Sequence, residues 1–199
     1  MRTLGKLLGG WLIGAGVIVL LAAAPAMNHS RAIAHAVQRT VTALPSAAAS
    51  VPGSIIIPVA GVTADSLHDN YEQPRSGGRT HHALDILAPR GTPVIAAVDG
   101  TVRKLFNSRA GGLTVYEFDV AEQRVYYYAH LDRYADGIAE GLVVKQGTLL
   151  GYVGTTGNAP PTAPHLHFAI EDLPPTKEWW KGSPTNPYPL LMTRASALR

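Results

Sequence analysis

LTVYEFDV at residues 113–120 and RVYYYAHL at residues 124–131 are neighbouring runs of β-branched and aromatic residues. Similar short runs, separated by Gly, Pro and Asp, are SIIIPV, TPVIAAV, GTVRKLF, GLVVKQG, LLGYVG and HLHFAIE. Several of them alternate with a period of two, as a half-buried antiparallel strand should. Their regular spacing predicts a compact all-β domain over residues 54–173.

The composition limits the class of protein and the chemistry open to it. The chain has 199 residues, of which 46 % are hydrophobic and 16 % are charged, so it can bury a core and is not typical of a disordered protein. It contains no cysteine, which excludes a cysteine nucleophile, a thiolate metal site and a disulfide scaffold. The net charge is +3 without a basic stripe, so we expect no nucleic-acid partner.

Residues 1–27 have the pattern of a signal peptide or a signal anchor. Arg2 and Lys6 precede an uncharged apolar run at residues 7–27, which is long enough to span a bilayer as a helix. The preceding positive charges predict that the N-terminus stays in the cytoplasm. Cleavage and retention are both open, and both predict export to the periplasm or cell envelope. Retention would anchor the chain to the inner membrane.

Two further segments flank the predicted domain. Residues 28–53 read as a short helix followed by a linker, PSAAASVPG. Residues 174–199 form a Pro-rich C-terminal tail, which we expect to wrap the surface of the domain. Trp179 and Trp180 in this tail are interpreted as covers for apolar surface, with contact to a ligand as the alternative.

Two histidines share one face of a predicted strand. In HLHF, His165 and His167 point to the same side, whereas Leu166 and Phe168 point to the opposite side, into the core. A metal ion with a neighbouring catalytic base would explain two adjacent imidazoles. A surface strand with two solvated histidines is the alternative.

His81-x-x-x-Asp85 is a second candidate element, in which a loop histidine and a strand-edge aspartate can converge on one ion. Zn²⁺ accepts imidazole nitrogen and carboxylate oxygen at about 2.0–2.2 Å, and catalytic sites keep a position open for water. The pattern alone is weak, because many chains contain it by chance. The H-x-H pair and a lone His130 in an apolar strand strengthen it.

The order of these motifs resembles that of the M23 family of zinc metallopeptidases, the lysostaphin and LytM-like endopeptidases of bacterial cell walls. The family motifs H-x-G-x-D, Y-x-H-L and P-H-L-H-F correspond here to HHALD at 81–85, YAHL at 128–131 and PHLHF at 164–168. The resemblance covers about residues 74–173. It implies a LytM-type fold, an antiparallel and open β-sandwich-like sheet that forms a groove.

The resemblance also implies a function for five side chains. It assigns one zinc ion to His81, Asp85 and His167, and it assigns His130 and His165 to catalysis. The implied activity is hydrolysis of amide bonds in peptidoglycan peptides by water. Which of the two catalytic histidines acts as the base stays open.

Four residues near these motifs are interpreted separately. Ala83 stands where the family has Gly, which would strain the loop if its φ were positive. His82 breaks the four-residue spacing to Asp85 and is interpreted as a rim residue. Arg75 and Arg79 are interpreted as solvated loop charges, with a substrate carboxylate as the alternative partner.

Two other classes of protein could explain parts of this sequence. A non-catalytic LytM-like regulator of other wall hydrolases should lack one or more of the five site residues, and all five are present here. A biotinyl or lipoyl module would explain GTPVIAAVDGTV and GLVVKQGTLLGYVG. Such a module needs a lysine at a hairpin tip, whereas Lys104 and Lys145 are predicted to lie inside strands.

Overall fold

The computed structural model describes residues 54–197. Within that range the chain forms eleven β-strands and one α-helix, with short 3-10 turns at Ala64–Ser66 and Ser76–Gly78. The strands are β1 Pro74–Arg75, β2 Arg79–Thr80, β3 Leu84–Leu87, β4 Pro93–Ile95, β5 Gly100–Ser108, β6 Gly112–Asp119, β7 Arg124–Tyr134, β8 Val143–Val144, β9 Leu149–Val153, β10 His165–Asp172 and β11 Ser183–Thr185. The helix α1 spans Pro187–Ala197.

Nine strands form one antiparallel sheet, and β1 and β2 form a separate hairpin. The order across the large sheet is β11-β10-β7-β6-β5-β8, with β3 on β10 and with β9 joining β4 to β7. The two runs that suggested the fold are the hydrogen-bonded pair β6 and β7 at its centre. The prediction of a mostly antiparallel β fold is therefore confirmed.

Strand β10 separates the core from the face that carries the histidines. Leu166 and Phe168 are fully buried in the hydrophobic core, together with Tyr126 and Tyr128 of β7. Burying each such side chain stabilises the fold by roughly 1.5–3 kcal/mol. The intervening residues of β10 face the opposite side, so the same alternation that anchors the strand presents its histidines on one surface.

The C-terminal segment contains regular structure that its composition did not predict. Strand β11 pairs with β10, and Leu191 of α1 is buried in the core. Asn186 caps the helix, because its Oδ1 accepts a hydrogen bond from the N–H of Tyr188 at 2.9 Å. Pro187 occupies the first helical position, where a missing N–H costs nothing. The prolines of this tail are thus compatible with a helix.

The two adjacent tryptophans differ in environment. The ring of Trp179 packs against Tyr116, with ring centroids 4.6 Å apart, and against Phe106 at 5.6 Å. Trp180 is 58 % exposed. Trp179 covers apolar surface, as interpreted, whereas Trp180 contacts only the Trp179 ring among the described aromatic pairs, with centroids 5.2 Å apart, and stays largely exposed.

The predicted leader at residues 1–27 and the helix and linker at residues 28–53 lie outside the described residues. Between residues 54 and 197, no helix is both long and apolar enough to cross a bilayer.

A buried glutamate lies in the middle of the large sheet. Glu117 of β6 is fully buried, and its Oε2 accepts a hydrogen bond from the Tyr128 hydroxyl at 2.5 Å. That hydroxyl in turn accepts one from the N–H of Ala97 at 2.8 Å. Glu117 Oε1 has no hydrogen-bond partner among the described residues. Burial raises the pKa of Glu117 to about 8, although the bond from Tyr128 opposes that shift.

Replacing Glu117 with glutamine is expected to change how stability depends on pH. A carboxyl whose pKa is raised on folding stabilises the protein below its unfolded value of 4.5, and this contribution is lost as pH rises through about 8. Glutamine keeps the shape without ionising. Between pH 4.5 and about 8, the free energy of unfolding of the variant should therefore rise relative to that of the wild type by about 1.4 kcal/mol per pH unit.

Urea unfolding of both proteins at several pH values measures this difference. Glu122→Gln in the exposed β6–β7 turn is the matched control, because it makes the same change where the side chain is solvated. A stability difference for Glu117→Gln that did not vary with pH would show that Glu117 folds without a raised pKa.

Candidate metal centre

An open groove of about 770 Å³ lies on the histidine-bearing face of the sheet. Strands β7 and β10 form its floor. The β1–β2 hairpin lines one part of its wall, and residues 110–111 and 158–163 line another. All five predicted site residues line this groove: His81, Asp85, His130, His165 and His167.

Three of them meet at one point. Asp85 of β3 lies directly opposite His167 of β10 in the sheet, and His81 enters from the loop after β2. Asp85 Oδ1 is 3.0 Å from His81 Nε2 and 3.0 Å from His167 Nδ1. The two ring nitrogens are also 3.0 Å apart. Pairing of β3 with β10 therefore brings together two motifs that lie 82 residues apart in the sequence.

The donor atoms of this triangle fit a metal ion. The carbonyl oxygen of Asn70 can only accept, so His81 Nδ1 carries the proton that it donates there at 2.9 Å. His81 Nε2 is left with a free electron pair inside the triangle. Among the described residues, these three form the group of histidines and carboxylates that could hold an ion. Two imidazole nitrogens and a carboxylate oxygen are a donor set typical of catalytic zinc.

The charge state of Asp85 agrees with this assignment. Burial opposes its ionisation, but the imidazoles of His167 and His81 beside it prevail and hold the pKa of the carboxyl well below its usual range. For His167, burial is the main cause of a lowered pKa, so its imidazole tends to be neutral. A carboxylate and neutral imidazoles are the protonation states that a metal requires of its ligands.

His130 reaches the groove because of a β-bulge. Val115 pairs with Tyr128 and Leu113 pairs with Leu131, so two steps along β6 oppose three along β7. Simple alternation from the core residue Tyr128 would have buried His130 in the core. The extra residue instead turns it toward the groove, with a left-handed φ of 62°. Bulges often re-aim a side chain beside an active site.

His130 and His165 are held in the same tautomer by backbone carbonyls. His130 Nδ1 donates to the oxygen of Thr156 at 2.8 Å, and His165 Nδ1 donates to that of Ala163 at 2.8 Å. Each ring keeps a free electron pair on Nε2. Burial lowers the pKa of His130 to about 4, which makes it neutral at physiological pH. The two ring centroids are 5.0 Å apart, and His165 Nε2 is 3.7 Å from Asp85 Oδ1.

Asn70 supports the site and was missed by sequence reasoning. Besides accepting from His81, it accepts a hydrogen bond at its Oδ1 from the N–H of Asp85 at 3.2 Å. It thus fixes two of the three converging residues from outside the motifs. No spacing pattern connects it to them, because it lies in a loop before the β1–β2 hairpin.

Arg75 was interpreted wrongly as a solvated loop charge. Its Nη2 donates to Asp85 Oδ2 at 2.5 Å, and its side chain is 37 % exposed. Arg79, its partner in the hairpin, is exposed, and its Nε donates to the backbone oxygen of Ser76 at 3.3 Å. The interpretation as a solvated charge holds for Arg79.

The neighbours of His81 behave as the sequence suggested. His82 is exposed, lies outside the triangle and contacts Tyr71, with ring centroids 5.4 Å apart. The left-handed residue of this loop is His82, at a φ of 53°, and Ala83 is not among the described residues with a positive φ. Alanine in place of the family's glycine therefore brings no backbone strain.

The family of the chain follows from its similarity to known proteins. Residues 79–187, more than half of the chain, match the model of peptidase family M23. The chain belongs to this family, as the motifs predicted. The catalytic domain of lysostaphin from Staphylococcus simulans has a TM-score of 0.54 and 28 % identity, over 63 % of this chain and 91 % of that domain. Hydrolase chemistry follows at the level of the family.

Two curated relatives carry different names. The L-Ala-D-Glu endopeptidase of Bacillus subtilis is 36 % identical over 120 residues, which are 58 % of this chain and 35 % of the relative. The DD-carboxypeptidase/endopeptidase Mpg of Neisseria meningitidis is 36 % identical over 110 residues, which are 55 % of this chain and 22 % of the relative. The match thus spans about a third of the length of the first relative and about a fifth of the length of the second.

The family match replaces the biotinyl or lipoyl interpretation. Lys145, however, does not lie inside a strand as predicted. It follows β8 in the turn to β9, with a side chain that is 79 % exposed and paired with Asp99.

Proposed function

We propose that this protein is a zinc-dependent endopeptidase that hydrolyses amide bonds in the peptides of peptidoglycan. His81, Asp85 and His167 hold one zinc ion per chain, and His130 and His165 are the catalytic residues. The observation that carries the proposal is the convergence of three ligand atoms at 3.0 Å beside two histidines that share a tautomer, all in one open groove.

The chemistry divides between the ion and the protein. Zinc, when bound, supplies Lewis acidity toward the amide carbonyl and lowers the pKa of water. The protein supplies two imidazoles whose Nδ1 atoms donate to backbone carbonyls, so that each Nε2 can accept a proton from water. A protonated Nε2 can then donate to the leaving amine or to the oxygen of the developing tetrahedral species. The backbone carbonyls of Thr156 and Ala163 keep both rings oriented through these steps.

Peptidoglycan is the proposed substrate for two reasons. The relatives named above are endopeptidases by their names, one for an L-Ala-D-Glu bond and one for DD bonds, and peptides that contain D-amino acids are typical of peptidoglycan. The uncharged run at residues 7–27 also favours export to the compartment that contains this substrate. A reporter that is active only outside the cytoplasm, fused after residue 53, tests export. An inactive reporter would contradict it.

Purified peptidoglycan incubated with the zinc-loaded protein alone tests the activity. We expect soluble fragments with new amino and carboxyl termini, and mass spectrometry identifies the bond that was cut. Unchanged muropeptides would favour the non-catalytic regulator instead. The presence of all five site residues in one groove supports the enzyme over that alternative.

A further inference from the structure

The two oxygens of the Asp85 carboxylate have different surroundings. Oδ1 faces the two ring nitrogens of His81 and His167, each at 3.0 Å. Oδ2 accepts a hydrogen bond from Arg75 Nη2 at 2.5 Å. One oxygen thus belongs to the predicted metal site, and the other belongs to an arginine.

Arg75 is carried into the groove by a short, well-defined hairpin. β1 and β2 are antiparallel, with Arg75 opposite Arg79. The chain reverses through Gly77 and Gly78, which have positive φ values of 74° and 72° that favour glycine. The hairpin therefore fixes where the Arg75 side chain begins, and the bond to Asp85 fixes where it ends.

Bringing this guanidinium inward has a cost. Arg75 Nε is buried and has no hydrogen-bond partner among the described residues. A buried donor without a partner is destabilising, and it is harder to tolerate on a charged group. The bond from Arg75 Nη2 to Asp85 Oδ2 is charge-assisted, and such bonds are stronger than neutral ones. This bond therefore offsets the cost of burying Nε without a partner.

Charge alone does not explain an arginine at this place. Two neutral histidines, one carboxylate and Zn²⁺ leave a net charge of +1, and a guanidinium beside them adds another. Like charges repel, so an arginine here should weaken cation binding unless it contributes something else. Orientation of the carboxylate is the contribution that the geometry offers.

We propose that Arg75 is a positioning residue, which occupies Asp85 Oδ2 so that the carboxylate is presented to the metal through Oδ1 alone. This inference rests on the proposed function, because it concerns the same metal site. A carboxylate held in this way uses one coordination position, which leaves another open for water or substrate. Residues that hydrogen-bond to a metal ligand commonly tune affinity and activity by 10–100-fold.

The test compares Arg75→Gln and Arg75→Lys with the wild-type full chain. Zinc affinity is measured by competition with a chromophoric chelator, and coordination is measured by the visible spectrum of the Co²⁺-substituted protein. Arg79→Gln is the matched control, because it removes the same charge from the opposite strand of the same hairpin. Thermal melting checks that all variants fold.

For Arg75→Gln we expect zinc binding weaker by about 10–100-fold. We also expect weaker Co²⁺ bands, because a carboxylate with both oxygens free can raise the coordination number. The zinc affinity and Co²⁺ spectrum of Arg75→Lys should lie between those of Arg75→Gln and the wild type. Lysine keeps the positive charge but lacks the planar set of donors of a guanidinium. Arg79→Gln should match the wild type in both measurements.

Two results would overturn the inference alone. These are wild-type affinity and spectrum in Arg75→Gln, and an equal change of affinity and spectrum in Arg79→Gln. A wild-type protein that binds neither zinc nor Co²⁺ would overturn the proposed function as well.

Discussion

Replacing His81 with alanine is expected to abolish zinc binding and to reduce turnover to the uncatalysed background. The His81 side chain is only 2 % exposed, and its Nε2 lies 3.0 Å from both Asp85 Oδ1 and His167 Nδ1. Without this imidazole the remaining histidine and carboxylate make an incomplete donor set. Zinc per chain after dialysis, measured by elemental mass spectrometry, checks the first part, and fragment release from peptidoglycan checks the second.

The adjacent histidine provides the control. His82 is exposed and outside the triangle, so His82→Asn should keep one zinc per chain and most of the activity. Asparagine suits the left-handed φ of 53° at this position. Full zinc occupancy in His81→Ala, or loss of zinc from His82→Asn, would contradict the assignment of His81.

Replacing His165 with alanine should have the opposite pattern, in which zinc is retained and turnover is lost. His165 Nδ1 is engaged by the Ala163 carbonyl, and its Nε2 is 3.7 Å from Asp85 Oδ1, outside the triangle of 3.0 Å contacts. Removing a general acid or base typically costs about 10²–10⁴-fold in rate. Zinc content and initial rates, measured on the same preparation, separate the two effects.

His167→Ala is the matched variant, because it changes the same residue type two positions along the same strand face. It should lose zinc, since His167 Nδ1 belongs to the triangle. Equal loss of zinc from the two variants would mean that His165 is also a ligand. Equal retention would mean that neither is one.

The parts of the site that depend on strand alternation could be predicted from sequence. His165 and His167 share a face, and Leu166 and Phe168 are buried behind them, because side chains in a strand alternate with a period of two. The motif order led to the family without the structure.

The position of His130 could not be derived from alternation. The pattern from Tyr128 places it on the core side, and only the bulge opposite Leu113 and Val115 reverses this. The resemblance to the family assigned His130 to catalysis, and the structure places it in the groove, a position that the periodicity of the strand does not support.

The contacts of Arg75 and Asn70 could not be predicted from the sequence, for a different reason. Their partners lie ten or more residues away across a hairpin and a loop, so no local pattern pairs them. Helix α1 was not predicted either, because prolines in its first turn resemble a loop. Its Leu191 nevertheless packs into the core.

Zinc dependence of peptidoglycan hydrolysis tests the central proposal most directly. Protein stripped of metal by a chelator is mixed with purified peptidoglycan and titrated with zinc, while new amino termini are counted. We expect no cleavage by the stripped protein and a rate that rises until one zinc per chain is bound, with no such rise for His81→Ala. Equal cleavage with and without metal, or no cleavage at full occupancy, would contradict a zinc peptidase built on His81, Asp85 and His167.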